Sequence, residues 1–424
     1  MTIGLFTLTS KLHDANEVAK NSNEFLTAIE AELGCAFTVH GADYEQYGNA
    51  DVDLIYVRTG GTEGIFRSEI PYTRRNKTIL LTSGKSNSLA ASMEILSFLK
   101  LQGRDGEIIH GSSEYIAGRI SIFGHIAQAR KALNGANYAI VGEPSDWLIA
   151  SRARAAVVQS RLGMNLVEIP IAELIRQAKS LQDDKSKCAV LNAFKGKFYG
   201  LNDTDDQGIA ASMDCSIRIY EALKSFVRKH NLKGLTLRCF DLLTALEGTG
   251  CLALAMLNTE GIIGSCEGDV PAMLTMAVAQ ALTGQSSFQA NPSQINPETQ
   301  EVLFAHCTVP LNMVSEYKYD THFESGIGVA VKGHIPEGDV TVFKISGDLS
   351  RYFVAEGTLV TNPDMQNLCR TQVLLKLDKE CVTYPQSKNV RTPSDYFLTD
   401  PIGNHHIIIR GRHKSLIQAF FKEI

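Results

Sequence analysis

The sequence predicts an α/β protein, with two doubly wound parallel-sheet domains followed by a C-terminal antiparallel β domain. Three observations carry this. Strand-like apolar runs alternate with helical periodicity through most of the chain, and the last part switches to β-branched residues alternating with polar ones between glycine turns. The chain also has 424 residues, 44% of them hydrophobic, whereas a single core rarely grows past about 250 to 300 residues.

The elements follow in order. "MTIGLFTLTSKLHD" lacks a basic start and a long apolar stretch, so it reads as a first strand and not as a signal peptide. "VDLIYVRTGGTEG" is a strand running into a glycine turn, and "TILLTSG" is another, followed by the helical spacing of "SLAASMEILSFLKLQG". "ANYAIVGEPSDWLIAS" adds a strand and a polar loop, and residues 1–160 are taken as the N-terminal α/β domain. The second domain, 161–304, contains "MNLVEIPIAELIRQAKSL" and a polar excursion "NAFKGKFYGLNDTDDQG". It continues with the amphipathic helix "GIAASMDCSIRIYEALKSFVRKHN", the strand "GLTLRCFDLL" and the helix "GCLALAMLNTEG". The C-terminal β domain, 305–424, holds "GIGVAVKGHIPEGDVTVFKISGDLSRYFVAEGTLV", which suits a barrel or a sandwich.

Composition narrows the function. A net charge of -5 and a pI near 6.1 remove the electrostatic pull on phosphate backbones, so nucleic acid is not expected as a partner and a small molecule is. No apolar window reaches the roughly 20 residues that span a bilayer. The nine cysteines include no C-x-x-C pair and suit reduced thiols in a cytoplasm. The sequence has neither a Walker A pattern nor a G-x-S-x-G elbow, which disfavours ATP-driven chemistry and the usual serine hydrolase.

The candidate chemistry gathers at strand ends, where doubly wound sheets bind ligands. In "GIIGSCEGDVPAMLTMAVAQAL", Glu267 and Asp269 fall between an apolar strand and a helix with Pro271 in its first turn. Asp269 is either a helix cap or a ligand; Glu267 has no capping role, and a buried carboxylate needs a partner or a cation. His306 follows the strand of "VLFAHCTVP", and His405 and His406 open the strand of "NHHIIIRG". Adjacent residues on a strand face opposite ways, so one of this pair enters a given site. Carboxylate plus imidazole suits Mn²⁺, Fe²⁺ or Zn²⁺. Asn87 in "SGKSNS" is a helix cap or a ligand contact, and Trp147, the only tryptophan, is a sugar platform or core. His322 and Glu324 in "THFESG" are two apart before an alternating strand and are expected to share a face. Arg370 in "CRTQ", with Arg410, Arg412 and Lys414 in "IIIRGRHK", offers donors for phosphate, sulfonate or carboxylate, or forms a solvated basic tail.

Taken in order, "TGGTEG", "SNSLAASMEIL", "GEPSDWLIAS", "CEGDVPAML", "AHCTVP" and "GNHH" resemble the L-fucose and L-arabinose isomerase superfamily across nearly the whole chain, most closely its shorter fucose-isomerase-like members. The resemblance implies two α/β domains and a C-terminal β domain, a homo-oligomer, and Mn²⁺-assisted interconversion of aldose and ketose by an ene-diol route. It implies Glu267 as metal ligand and proton carrier, His306 as ligand, and His406 as ligand with His405 as the alternative. One position departs: "FQANPS" puts Ala290 and Asn291 where the arabinose isomerases have the glutamate of "FMEDYT". Asp269, Glu324 or Asn291 is then expected to stand in for it. The function expected is a metal-dependent isomerase of a pentose or 6-deoxyhexose. The alternatives are a non-catalytic sugar-binding homologue and a metal enzyme for another, anionic sugar.

Overall fold

A computed structural model describes residues 1–71, 77–181 and 207–423. The polar excursion "NAFKGKFYGLNDTDDQG" lies largely outside the described residues. The chain forms two compact units, residues 1–131 with 419–423, and residues 132–418.

The first unit is built from β1 (Ile3–Leu8), α1 (Ala15–Leu33), β2 (Thr38–Gly41), β3 (Val52–Val57), α2 (Glu63–Glu69), β4 (Thr78–Thr82), α3 (Ser88–Leu101), β5 (Gly106–Ile109) and α4 (Ser113–Leu133). Its sheet is wholly parallel in the order β2-β1-β3-β4-β5. The alternation within "LIYV" explains the packing. Leu54 and Tyr56 join α1 and α4 residues such as Ile29 and Ile120, while Ile55 and Val57 join Ile95 and Leu99 of α3. Both faces are covered, so the strand reads as an unbroken apolar run. The "TGGTEG" and "SGKSNS" loops meet at the carboxyl ends of β3 and β4, where Gly60 N–H donates to Ser86 O at 2.8 Å.

The second unit begins with β6 (Asn137–Val141), α5 (Ala155–Leu162), β7 (Asn165–Ile169), α6 (Ile171–Ser180), α7 (Gln207–His230) and β8 (Leu232–Leu237). α8 (Asp241–Leu246), α9 (Cys251–Thr259), β9 (Ile263–Cys266) and α10 (Val270–Thr283) complete a parallel sheet ordered β7-β6-β8-β9. The strand "ANYAIVG", grouped by texture with the first domain, is thus a central strand of the second sheet. "GLTLRCFDLL" divides into β8 and α8, with Arg238 N–H still donating to Val141 O of β6 at 2.9 Å. The chain then continues through β10 (Phe288–Asn296), β11 (Glu301–His306), β12 (Glu316–Asp320), β13 (Ala330–His334), β14 (Gly338–Ile345), β15 (Tyr352–Thr361), β16 (Thr371–Tyr384), α11 (Pro393–Thr399), β17 (His406–Arg410) and α12 (Lys414–Glu423). A closed antiparallel barrel runs β10-β11-β16-β15-β14-β17, with β12 and β13 as a separate ribbon. The basic run in "IIIRGRHK" is tied to this barrel: Arg412 pairs with Asp339 and Asp378. No helix among the described residues is long and apolar enough to cross a membrane.

Sheet and barrel share one apolar core, from Val141 and Leu237 through Phe288, Phe304 and Phe353. α10 lies between them, against β8 and β9 on one side and β14 and β17 on the other. Its sequence "VPAMLTMAVAQALT" is apolar all round, as a helix buried on every side must be. Thr275 Oγ1 accepts the N–H of Ile345 at 3.1 Å and fixes helix to barrel.

Close approach limits substitution in the second sheet. A Cβ on Gly234 would lie 2.5 Å from Ile263 Cβ on the neighbouring strand. Gly234→Val is expected to destabilise the second unit by about 1–3 kcal/mol, the usual range for overpacking. Denaturant titration followed by the emission of Trp147 checks this; an unchanged midpoint would contradict it.

Candidate active site

The strand order reverses beside β6 and β8, and the site grows from the carboxyl ends of β6, β8 and β9. Glu267 follows β9 directly with φ of 63°, a left-handed conformation that costs a non-glycine residue roughly 1–2 kcal/mol. Gly268 continues the turn at φ 69°, and a Cβ there would lie 2.5 Å from Glu143 O and 2.7 Å from Pro144 Cα. Glycine therefore lets the loop after β6 close on the Glu267 turn, where Ser145 N–H donates to Glu267 O at 2.9 Å. From the barrel, Gln289 Oε1 accepts the N–H of Cys266 at 2.8 Å.

Three side chains converge there. Glu267 Oε1 is 3.4 Å from His405 Nε2 and 3.8 Å from His306 Nε2. One donor atom from each of Glu267, His306 and His405 lies within 4.8 Å of the others, and all three residues are buried. The second carboxylate oxygen, Oε2, accepts the indole N–H of Trp147 at 2.7 Å. His306 Nδ1 is held 3.0 Å from Thr308 Oγ1. His405 Nδ1 is 2.8 Å from Asp269 Oδ2.

Asp269 is fully buried, and both its oxygens are engaged. Oδ1 caps α10 by accepting Ala272 N–H at 2.8 Å, and Oδ2 also lies 3.6 Å from the buried ammonium of Lys344. Burial alone would raise the Asp269 carboxyl, but the charge of Lys344 and the contact with His405 hold it at about 2. Burial likewise works against the Glu267 anion, yet the close approach and charge of His306 and His405 keep it well below the usual carboxylate range. For His405 burial opposes the cation, and the flanking Asp269 and Glu267 outweigh it, raising the imidazole to about 9. Lys344 is lowered by burial, with Asp269 pulling the other way.

His406 does not join the cluster, although sequence reading favoured it over His405. It points into an aromatic pocket of Phe304, Phe353, Tyr396 and Phe397, with Nε2 2.9 Å from Tyr396 Oη, and burial lowers it to about 3. Asp269 orients His405 and caps a helix, so its oxygens are not free to shuttle protons. His322 and Glu324 lie in a turn ahead of β13 and not on a strand face; His322 is buried with Nδ1 3.0 Å from Ser325 Oγ, while Glu324 is exposed. Trp147 is 54% exposed, so it is not core, and packs edge-on against Phe240, which packs edge-on against His322. Arg370 donates to Thr321 O at 2.7 Å and pairs with Asp320 on the strand leading into that turn. Asn291 sits on β10 with Oδ1 buried and unbonded, and Asn87 is an exposed residue of the first unit. Sequence reading missed Lys344, Phe240 and Thr308. A lone lysine inside the apolar "VTVFKI" was the one available signal.

The donor set fits a divalent cation. One carboxylate oxygen and two imidazole nitrogens converge in a buried space, and His405 Nε2 has no hydrogen-bond partner. The Asp269–His405 contact is the carboxylate–histidine arrangement that orients metal-ligating imidazoles.

No protein-family model matches the chain. The chain is similar to proteins named sulfoquinovose isomerase. It is 25% identical over 305 residues to that of Clostridium sp. (strain MSTE9), covering 68% of this chain and 66% of that protein. It is 24% identical over 232 residues to that of Priestia aryabhattai, 52% and 50% of the two chains. A third, from Alkalicoccus urumqiensis, is 20% identical over 300 residues. The matched stretch thus spans about two thirds or less of these relatives' lengths. They agree with the sequence resemblance at the level of a sugar isomerase, and none of the three is named for fucose or arabinose.

Two outcomes test the cluster. His405→Ala is expected to abolish tight Mn²⁺ binding in calorimetry, whereas His406→Gln keeps it. Because His405 must lose its proton to ligate, Mn²⁺ affinity should fall about tenfold per pH unit below about 9, with one proton released on binding. A pH-independent affinity would contradict that role for His405.

Proposed function

We propose that the chain is an aldose–ketose isomerase of a monosaccharide, with a divalent cation, Mn²⁺ by preference, held by Glu267, His306 and His405. The observation that carries this reading is the convergence of those three side chains at the carboxyl ends of a parallel sheet. The similarity to proteins named as sugar isomerases supports it from an independent direction.

The chemistry asks for a group that takes a proton from the carbon beside a carbonyl and returns it to the neighbouring carbon. Glu267 is that group: it is ionised, and its Oε2 retains one acceptor site beyond the bond from Trp147. When bound, the cation polarises the carbonyl and hydroxyl oxygens of the sugar and neutralises charge that develops on them. Asp269 keeps the His405 ring aimed, and Thr308 does the same for His306. The edge-to-face row of Trp147, Phe240 and His322 offers an apolar wall to the C–H face of a sugar.

The hydroxyl proton needs a second carrier. Ala290 cannot serve and Asp269 is fully engaged, which leaves Glu324 on the turn that carries His322. The names of the relatives specify a sulfonated sugar, and Arg370, beside that same turn with Nε and Nη2 held by Thr321 and Asp320, offers its remaining guanidinium donors to a sulfonate. An anionic sugar is therefore the preferred substrate class here.

The test is turnover with added Mn²⁺ on sulfoquinovose and on neutral quinovose, fucose and arabinose. The sulfonated aldose should be converted, chelation should abolish conversion reversibly, and Glu267→Gln should lower kcat/KM by roughly 10²–10⁴-fold. Sugar-induced thermal stabilisation without product would instead favour a binding protein, for which the missing carboxylate at Ala290 is the motivating observation.

A further inference from the structure

Trp147 is an unusual tryptophan. More than half of its surface is exposed, at 54%, although it is the only tryptophan of the chain, and among the described residues it packs edge-on against Phe240 at 4.7 Å. Core packing would bury it. Its N–H instead points inward to Glu267 Oε2 at 2.7 Å.

The loop that presents it is held from several sides. Arg238 donates to Pro144 O at 2.8 Å and to both oxygens of Asp146 at 3.3 and 3.1 Å, and is itself steadied by Asp241 at 2.9 Å. Ser145 N–H binds Glu267 O, and Gly268 removes the side chain that would push the loop away. Ser145 and Trp147 are thereby tied directly to the turn that carries the carboxylate, and Pro144 and Asp146 to Arg238, which follows Leu237, whose carbonyl accepts Gly268 N–H at 2.9 Å.

We propose that Trp147 is a positioning residue for Glu267, a role that rests on the isomerase reading above. Its indole N–H occupies one acceptor site of Oε2, so the carboxylate turns Oε1 alone toward His306 and His405 and keeps the free site of Oε2 for the substrate proton. An indole suits this task because it donates and never accepts, and it does not titrate in water. A serine or histidine in its place could exchange a proton with the base; a tryptophan holds the base and leaves its proton traffic alone.

The single tryptophan makes the contact directly observable. Mn²⁺ titration of the full chain should change Trp147 emission and saturate at one ion per chain, counted by equilibrium dialysis, and Glu267→Gln should abolish the emission change. Replacing Trp147 with β-(3-benzothienyl)alanine keeps the ring's shape and deletes the N–H. This variant should bind one Mn²⁺, keep KM within about twofold and lose about tenfold or more in kcat, the loss expected for a charge-assisted hydrogen bond, while Trp147→Phe, which also trims the apolar wall, should bind one Mn²⁺ and lose at least as much in kcat. Wild-type kcat in the benzothienyl variant would overturn the positioning role while leaving the isomerase reading intact. If the wild-type chain converts no sugar, the isomerase reading falls, and the emission then decides: an Mn²⁺-bound chain with unaltered emission overturns the contact, and a Glu267-dependent change upholds it.

Discussion

The carboxylate of Asp269 is the point on which the second unit turns. An ionised carboxylate without water is costly unless donors surround it, and removing one partner from such a group is far more damaging than never burying it. Here the donors come from three separate places. The first turn of α10 supplies Ala272 N–H, β14 supplies Lys344, and the residue before β17 supplies His405. Satisfying this one side chain therefore brings a helix of the sheet layer into register with two strands of the barrel. It also aims the ring nitrogen that completes the cluster with Glu267 and His306.

That dependence explains why so much of the surrounding structure is apolar and tightly registered. α10 carries no charge and is buried on every side, so it can sit between sheet and barrel only at the rotation that points Asp269 toward Lys344 and His405. Thr275 Oγ1 accepting the Ile345 N–H and Gln289 bonding the backbone of Cys266 set the same register from either side. The strain at Glu267, a left-handed non-glycine residue, is held in place by these neighbours and by the loop over Gly268. Backbone strain of this kind persists where the surroundings over-determine it, and it gathers at sites that use it.

Much of this was legible in the sequence, for physical reasons that differ by residue. Apolar periodicity revealed the parallel sheets and the β-rich end because burial on one or both faces leaves its mark on every strand. Glu267 stood out because a carboxylate at the close of an apolar run has a cost that some partner must offset. His306 stood out for its place at a strand end. The role of Asp269 was half legible: the cap follows from Pro271 and the helix that starts there, whereas its bonds to Lys344 and His405 span the fold and leave no local trace. Trp147 was read as a sugar platform or core, and the direction of its N–H is set by Arg238 and Gly268, residues far from it in the chain or unremarkable alone. "THFESG" misled because a run beside an alternating strand was taken to share that strand's geometry, when the glycine at 326 holds a turn.

The identity of the histidine in the cluster follows from the barrel register. Ala290 of β10 pairs with His406 of β17, and paired residues of antiparallel strands face the same side. That side is the barrel core, where Phe288 and Ala290 are fully buried and His406 is held neutral among aromatic rings. A glutamate at 290 would face the same interior, next to an imidazole already committed to Tyr396. Ala290 and His406 thus share one face, and neither joins the cluster of Glu267, His306 and His405. His405, the preceding residue, turns the other way to Asp269, and Asn291, one step from Ala290, leaves the same face with an unbonded buried oxygen. A second proton carrier on β10 would have to come from that opposite face. Asn291 is neutral and cannot act as one, so the proposed isomerase would need a carboxylate from outside the barrel, and Glu324 on the His322 turn is the residue we propose for it.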